Sequence, residues 1–169
     1  MSEARLNGAP APVDRESSVG GDDKLELRLW LRLLTCSHLI ESEVRQRLRE
    51  RFATTLPRFD LLAQLDRAPE GLTMGELSSR LMVSNGNVTG LAEALVREGL
   101  VSRVPEPEDR RSLRLRLTAA GKRAFDAMTP VHEQWIDTMM QGLSRAEMAH
   151  LIELLGKLKQ SLRQGTRPQ

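Results

Sequence analysis

The stretch 84–95, SNGNVTGLAEAL, constrains the fold of this chain most, because a cluster of short polar residues runs directly into an apolar-periodic helix. Its apolar residues keep the i, i+3, i+4, i+7 spacing of one buried helical face: Val88, Leu91, Ala92 and Leu95. The opposite face carries small residues, most of which both donate and accept hydrogen bonds: Asn85, Asn87, Thr89 and Gly90. Ser84 is suited to cap the first turn through its hydroxyl oxygen. A helix of this kind fits a groove of DNA, where it touches base edges and phosphates.

The residues before this helix predict a partner for it. Pro57 opens a helix that runs to about Arg67, since proline is tolerated in a first turn. Thr73 and Glu76 then form a capping-box pattern that predicts a short helix ending at Leu81. Two helices joined by about three residues, the second with a polar outer face, are typical of a helix-turn-helix.

The residues after this helix predict a β-hairpin. The segment 100–104 alternates apolar and polar residues, 105–112 is rich in proline and charge, and 113–118 alternates leucine with arginine. A hairpin that follows a helix-turn-helix and carries arginine at its tip is typical of a winged-helix domain. Arginine is drawn to the negative potential of a minor groove, which is where such a tip would bind.

Long helical patterns flank this region. The first covers about 24–51, the second begins at Thr118 and contains Pro130, and the last begins at a capping box at Ser144. The first and last carry more leucine than a small domain needs, which indicates a dimer bundle. We therefore predict a mainly α fold with a small β wing. Residues 57–118 form the winged helix-turn-helix domain, and 24–56 with 119–163 form the helical dimerisation region.

Composition limits the function classes. Residues 1–23 hold two arginines and five acidic residues and few large apolar side chains, so we predict that they are disordered. The whole chain has a net charge of +2, so the positive excess lies in the remainder. There is neither a secretory leader pattern nor an apolar run long enough for a membrane span. A single cysteine, Cys36, fits a reducing compartment, and we expect a soluble cytoplasmic protein.

Three segments in matching order resemble the MarR-type (multiple-antibiotic-resistance-regulator) family of winged-helix transcription factors. They are LTMGELSSRLMVSNGNVTGL, LVREGLVSRV and PEPEDRRSLRLRLTAAGK. The resemblance covers roughly 24–162. It implies a homodimer that binds double-stranded DNA, with two recognition helices in successive major grooves of a pseudo-palindromic operator. In that family the activity is often repression that a small ligand relieves.

The resemblance also implies which residues meet DNA. By position, these are Ser84, Asn85, Asn87 and Thr89 on the recognition helix, Arg103 on its flank, and Asp109, Arg110 and Arg111 at the wing. Asp109 would orient one of the two wing arginines. The alternative for Asp109 and Arg111 is an ion pair that only stabilises the loop. Arg114 and Arg116 are expected at the sheet surface, in part near phosphates.

An effector site is implied between the dimer helices and the winged domain. Our candidates are Trp30, Ser37, His38, Arg58 and Phe59, which combine an apolar wall, hydrogen-bonding groups and a cation. The alternative places Trp30 and Phe59 in the core and His38 in the subunit interface. The segment from Leu29 to Leu77 resembles the branch that controls aromatic-acid catabolism. Some members of that branch sense hydroxycinnamate or benzoate compounds as free acids or as coenzyme A thioesters.

The sequence fits a redox sensor, a metal-binding protein or an enzyme less well than a ligand-responsive regulator. Some relatives sense peroxide through one cysteine, but Cys36 falls on the apolar stripe of the first helix and the chain has no tyrosine, so we predict an inert core cysteine. We expect no cofactor, because three scattered histidines and one cysteine give no metal-ligand spacing. The sequence shows no pairing of a nucleophile with a general base that would indicate an enzyme. A winged-helix factor that recruits protein without sensing a ligand remains the alternative.

Overall fold

The structure is a computed structural model, and it describes residues 24–82, 85–105 and 113–165. Six helices and three strands occur in these ranges, in the order α1 (Leu25–Phe52), α2 (Leu56–Asp66), β1 (Leu72–Thr73), α3 (Met74–Leu81), α4 (Asn85–Arg97), β2 (Val101–Pro105), β3 (Leu113–Leu117), α5 (Ala119–Met139) and α6 (Arg145–Gly165). The predicted mainly α fold with a small β wing is confirmed. The predicted disordered segment 1–23 lies outside the described residues.

The three strands form one antiparallel sheet in the order β1-β3-β2. β2 and β3 are the predicted hairpin, with Val101 opposite Leu117 and Pro105 opposite Leu113. β1 was not predicted, because two residues are too few to show alternation. It pairs Leu72 with Leu115 and thereby ties the start of α3 to the wing.

Local signals account for where three of the helices begin, α3, α5 and α6. The Thr73 hydroxyl accepts from the backbone N–H of Glu76 at 3.2 Å, and the Glu76 carboxylate accepts from the N–H of Thr73 at 2.8 Å. Ser144 and Glu147 form the same reciprocal cap at α6. At α5 the Thr118 hydroxyl accepts from the N–H of Gly121. The capping boxes predicted at Thr73 and Ser144 are therefore confirmed.

The core lies between the second half of α1, α2 to α4, the sheet and α5. Its buried side chains come from every one of these elements and include Leu48, Leu61, Leu77, Leu95, Leu115 and, on α5, Phe125. Two apolar surfaces remain outside it. The first half of α1 exposes Leu25, Leu29, Trp30 and Leu39, and α6 exposes Leu151, Ile152, Leu154, Leu155 and Leu162. These surfaces fall where the sequence predicted a dimer bundle.

Candidate nucleic-acid interface and effector cavity

α3 and α4 form the helix-turn-helix that the sequence predicts. α3 ends at Leu81, and the residue that follows it, Met82, adopts the left-handed conformation (φ 53°) that terminates the helix. Val88, Ala92 and Leu95 are buried, so this face fixes α4 on the body of the domain. Asn87 and Thr89 of the same helix are exposed to solvent.

The structure places the predicted DNA-contacting residues unequally. Asn87 and Thr89 are exposed on α4, on either side of the buried Val88, and Asn87 also borders the first cavity described below. Asn85 is the first residue of that helix, and its side chain is outside the described part, as is Ser84. The wing loop 106–112 is also outside it, so the predictions for Asp109, Arg110 and Arg111 stand untested.

Arg103 lies on β2 beside the recognition helix. Its guanidinium is exposed and stands 3.8 Å from the Glu93 carboxylate of α4, a distance at which the two charges attract without a hydrogen bond. An exposed pair of this kind contributes little to stability. The Arg103 guanidinium can therefore leave Glu93 and pair with another anion, such as a phosphate, at little cost to the fold.

The two sheet arginines, Arg114 and Arg116, make hydrogen bonds within the protein. Arg114 donates to the carbonyl of Gly71 at 3.0 Å, and Arg116 donates to the carbonyl and to the carboxylate of Glu70, both at 2.9 Å. These bonds hold the turn that leads into β1. Both side chains are partly exposed on β3, as expected for charges at the sheet surface, and the expectation that they lie in part near phosphates stays a prediction.

The C-terminal end of α4 is held from two sides. Arg58 of α2 donates two hydrogen bonds to Glu98, one of them at 2.8 Å, and these bonds lower the pKa of the Glu98 carboxyl. On the other side, the Thr118 hydroxyl donates to the carbonyl of Gly99 at 2.6 Å. The adjoining Gly121 approaches so closely that an added Cβ would lie 1.9 Å from the carbonyl oxygen of Leu100. This junction joins the recognition helix to both α2 and α5.

The five predicted effector residues are not brought together. Trp30, Ser37 and His38 are exposed on α1, and Phe59 is buried in the core, where its ring lies 5.5 Å from that of Phe125. Arg58 already binds Glu98. Only Ser37 lines a cavity described below.

The prediction that Cys36 is a core cysteine is wrong for the single chain, in which this residue is exposed. Cys36 lies on the apolar stripe of α1, but in the first half of the helix, whereas the core covers only the second half.

Two neighbouring cavities open between α1, α2 and the rest of the domain. The first, of about 740 Å³, reaches the N-terminal half of α4 and is lined there by Gly86, Asn87 and Gly90. The second, of about 360 Å³, reaches α5 at His132 and Ile136. Glu41, Leu56 and Asp60 line both. The location matches the predicted effector site, although the residues that form it are mostly different.

An aromatic cluster backs the second cavity. The His132 ring lies 4.7 Å from that of Phe59 and 6.4 Å from that of Trp135. Burial lowers the pKa of His132 below its ordinary value of 6.5, while nearby Glu133 partly opposes this change. The folded protein therefore favours the neutral imidazole.

We expect this histidine to make the fold less stable in mild acid. Because its pKa is lower in the folded state, the stabilisation is complete above about pH 6.5 and is lost as the pH falls through the ordinary and then the folded value. The Tm of the wild type should fall between pH 7.5 and 5.5 by more than that of His132→Phe. His150→Gln, at an exposed position of α6, is the matched control and should follow the wild type. An equal fall in His132→Phe would contradict this assignment.

The described residues hold neither a metal-binding cluster nor a membrane-spanning helix. Among them, no group of three histidine, cysteine or carboxylate side chains could hold a metal ion. No helix in the same ranges is long and apolar enough to cross a bilayer.

The helix-turn-helix, the hairpin and the polar outer face of α4 define a winged helix-turn-helix protein. The MarR family profile matches residues 54–112. A MarR family transcriptional regulator from Silicibacter pomeroyi has the same fold with a TM-score of 0.71 and 30% identity, and the match covers 85% of this chain and 99% of that one. The chain belongs to the MarR family of transcriptional regulators.

Two curated relatives show how far the likeness extends. The transcriptional activatory protein BadR of Rhodopseudomonas palustris is 29% identical over 147 residues, which cover 84% of this chain and 83% of BadR. The transcriptional repressor YetL of Bacillus subtilis is 32% identical over 102 residues, which cover 60% of this chain and 61% of YetL. Both are described as regulators, which agrees with the expectation that the chain is not an enzyme.

Proposed function

We propose that this protein is a homodimeric regulator that binds a pseudo-palindromic DNA operator and is released by a small aromatic effector. The observation that supports it most directly is the geometry of α4, whose apolar face is fixed in the core while Asn87 and Thr89 face solvent. Short neutral side chains on a rigid helix suit base edges in a major groove. Ser84, Asn85, Arg103 and the wing residues Asp109, Arg110 and Arg111 complete the proposed interface.

The exposed apolar surfaces support the dimer. The single chain leaves several leucines of α1 and α6 in water, and contiguous exposed apolar patches commonly mark surfaces that associate with another protein. A second copy packed on these helices would cover them, and with them Trp30 and Cys36. Two recognition helices would then read half-sites about 34–36 Å apart.

The cavities support a ligand-sensing regulator over a winged-helix factor that senses nothing. A space of about 740 Å³ is within the usual range for small-molecule sites. It borders Asn87 of the recognition helix, so a molecule bound there would act directly on the proposed DNA interface. If the effector is the aromatic acid or coenzyme A thioester expected from the sequence, its negative charge would pair with Arg45, because Arg58 is bound to Glu98.

BadR is described as an activator and YetL as a repressor, and both are similar to this chain. We propose repression, with the operator overlapping a promoter.

The test is Asn87→Ala, measured by fluorescence anisotropy on an operator selected from random DNA. Loss of one bidentate base contact should weaken operator binding by about 1–3 kcal/mol, or roughly 5- to 150-fold, and leave binding to random DNA unchanged. Gln64→Ala, on α2 away from α4's outer face, is the control. Equal losses on both DNAs would make Asn87 a phosphate contact, and no change on either would remove it from the interface.

A further inference from the structure

Asp60 is placed where a ligand would meet it. It belongs to α2 and lines both cavities, so its carboxylate stands at the boundary between them. The side chain is partly buried, and within the described ranges no hydrogen bond or ion pair engages it. Burial, followed by repulsion from Glu41, raises the pKa of this carboxyl, and attraction to Arg45 opposes only part of that change. A partly desolvated carboxylate without a partner is costly, and a ligand that supplies a donor removes that cost.

The remaining charges do not favour an anion. Glu41 is the second carboxylate shared by the two cavities, and the guanidinium of Arg45 is bound to it one helical turn away. His132 of the second cavity favours the neutral form. Among the lining residues that the structure describes, the charge that faces a ligand without compensation is therefore negative.

Apart from Thr55 and Asn87, the uncharged lining of the first cavity is apolar. Leu56, Pro57, Leu81 and Leu91 contribute its walls, and Gly86 and Gly90 leave the surface of α4 flat at this point. Apolar walls with one uncompensated carboxylate suit a flat ring that bears a positively charged donor group.

We propose that the effector is a flat aromatic compound bearing an amine or amidine, whose N–H groups pair with Asp60, and not a free aromatic carboxylate. This inference rests on the proposed effector function and names the chemistry of its ligand. It also reverses the charge that the sequence led us to expect, since that expectation depended on Arg58.

Three probes of nearly the same shape separate charge from fit: 2-naphthamidine, 2-naphthamide and 2-naphthoate. The full-length protein is titrated with each by isothermal calorimetry at pH 7.5. We expect the amidine to bind at least tenfold more tightly than the naphthoate, with the amide between them. Equal or tighter binding of the naphthoate, or no binding of the amidine at millimolar concentration, would overturn the proposal.

Variants then locate the site. Asp60→Asn keeps the shape of the side chain and should weaken the amidine at least tenfold while changing the amide by less than threefold. Asp66→Asn removes the same charge from the same helix outside both cavities, and Lys122 keeps its second partner Asp126, so this control should bind like the wild type. Amidine binding that is unchanged in Asp60→Asn would contradict the pairing.

A space-filling variant tests the cavity without altering its charge. Thr55 lines the first cavity and its side chain does not cap α2, so Thr55→Trp fills space and removes no hydrogen bond. All three probes should bind this variant at least fivefold more weakly, and unchanged binding would place the ligand elsewhere. Operator binding without ligand is measured in parallel. If it persists while the amidine fails, the DNA-binding function stands and only the ligand assignment falls.

Discussion

Replacing Ile152 with aspartate is expected to convert the protein to a monomer and to weaken operator binding by about 10²- to 10⁴-fold, because the avidity of two half-sites is lost. Ile152 is 71% exposed in the single chain, so the new carboxylate meets water there and costs the fold little. In the proposed dimer it would be buried without a partner, which is strongly unfavourable. Sedimentation velocity and anisotropy on the same preparation measure both effects.

Gln160→Asp is the matched control for this variant. It adds the same charge to the same exposed helix, but on the side away from the leucines. It should remain dimeric and bind the operator like the wild type. An Ile152→Asp protein that stays dimeric at micromolar concentration would show that α6 does not form the interface.

Replacing Gly121 with alanine is expected to lower the free energy of unfolding by about 1–3 kcal/mol. The new methyl carbon would stand 1.9 Å from the carbonyl oxygen of Leu100, which itself accepts a hydrogen bond from Thr118 at 3.1 Å. Backbone on both sides leaves little room for relaxation, so α5 must move away from the start of β2. Urea denaturation followed by circular dichroism measures the loss.

Gly75→Ala provides the comparison, since Gly75 also lies in the first turn of a helix but has open space where its Cβ would be. There alanine should leave stability unchanged or raise it by up to about 1 kcal/mol, the difference in helix propensity. If Gly121→Ala unfolds at the same urea concentration as the wild type, the close approach does not constrain the junction. Operator affinity of Gly121→Ala should also fall, because the junction carries the C-terminal end of α4.

Local signals explain how much of the fold the sequence predicts. The caps at Thr73, Thr118 and Ser144 act within three residues, and the alternation of 113–117 is visible in the letters alone. The burial of Val88, Ala92 and Leu95 follows directly from helical spacing. These elements need no knowledge of distant residues.

The site is predicted less well, because its contacts join residues far apart in the chain. Arg58 and Glu98 are forty positions apart, and Arg116 and Glu70 forty-six. The sequence therefore suggests Arg58 as the cation for an acidic ligand, although its guanidinium group is hydrogen-bonded to Glu98. No sequence motif marks Asp60. Its carboxylate is of interest because no neighbouring side chain in the described structure forms a hydrogen bond with it. Cys36 was misplaced for a related reason: helical spacing gives the face of a residue but not how far along the helix the core extends.

The contacts at Glu98, Gly99 and Leu100 hold one end of the recognition helix in place, so the helix can rotate as a rigid rod about that end. Its C-terminal end is fastened to α2 and α5, whereas its N-terminal half borders an open cavity. Thirteen residues span about 20 Å at 1.5 Å per residue. A rotation of about 5° around the fastened end would therefore carry the first turn by roughly 1.7 Å, more than the ~0.5 Å range of a good hydrogen bond. A molecule wedged beneath Asn87 would push close to the free end of the helix, so the first turn would move by about as much as Asn87 itself.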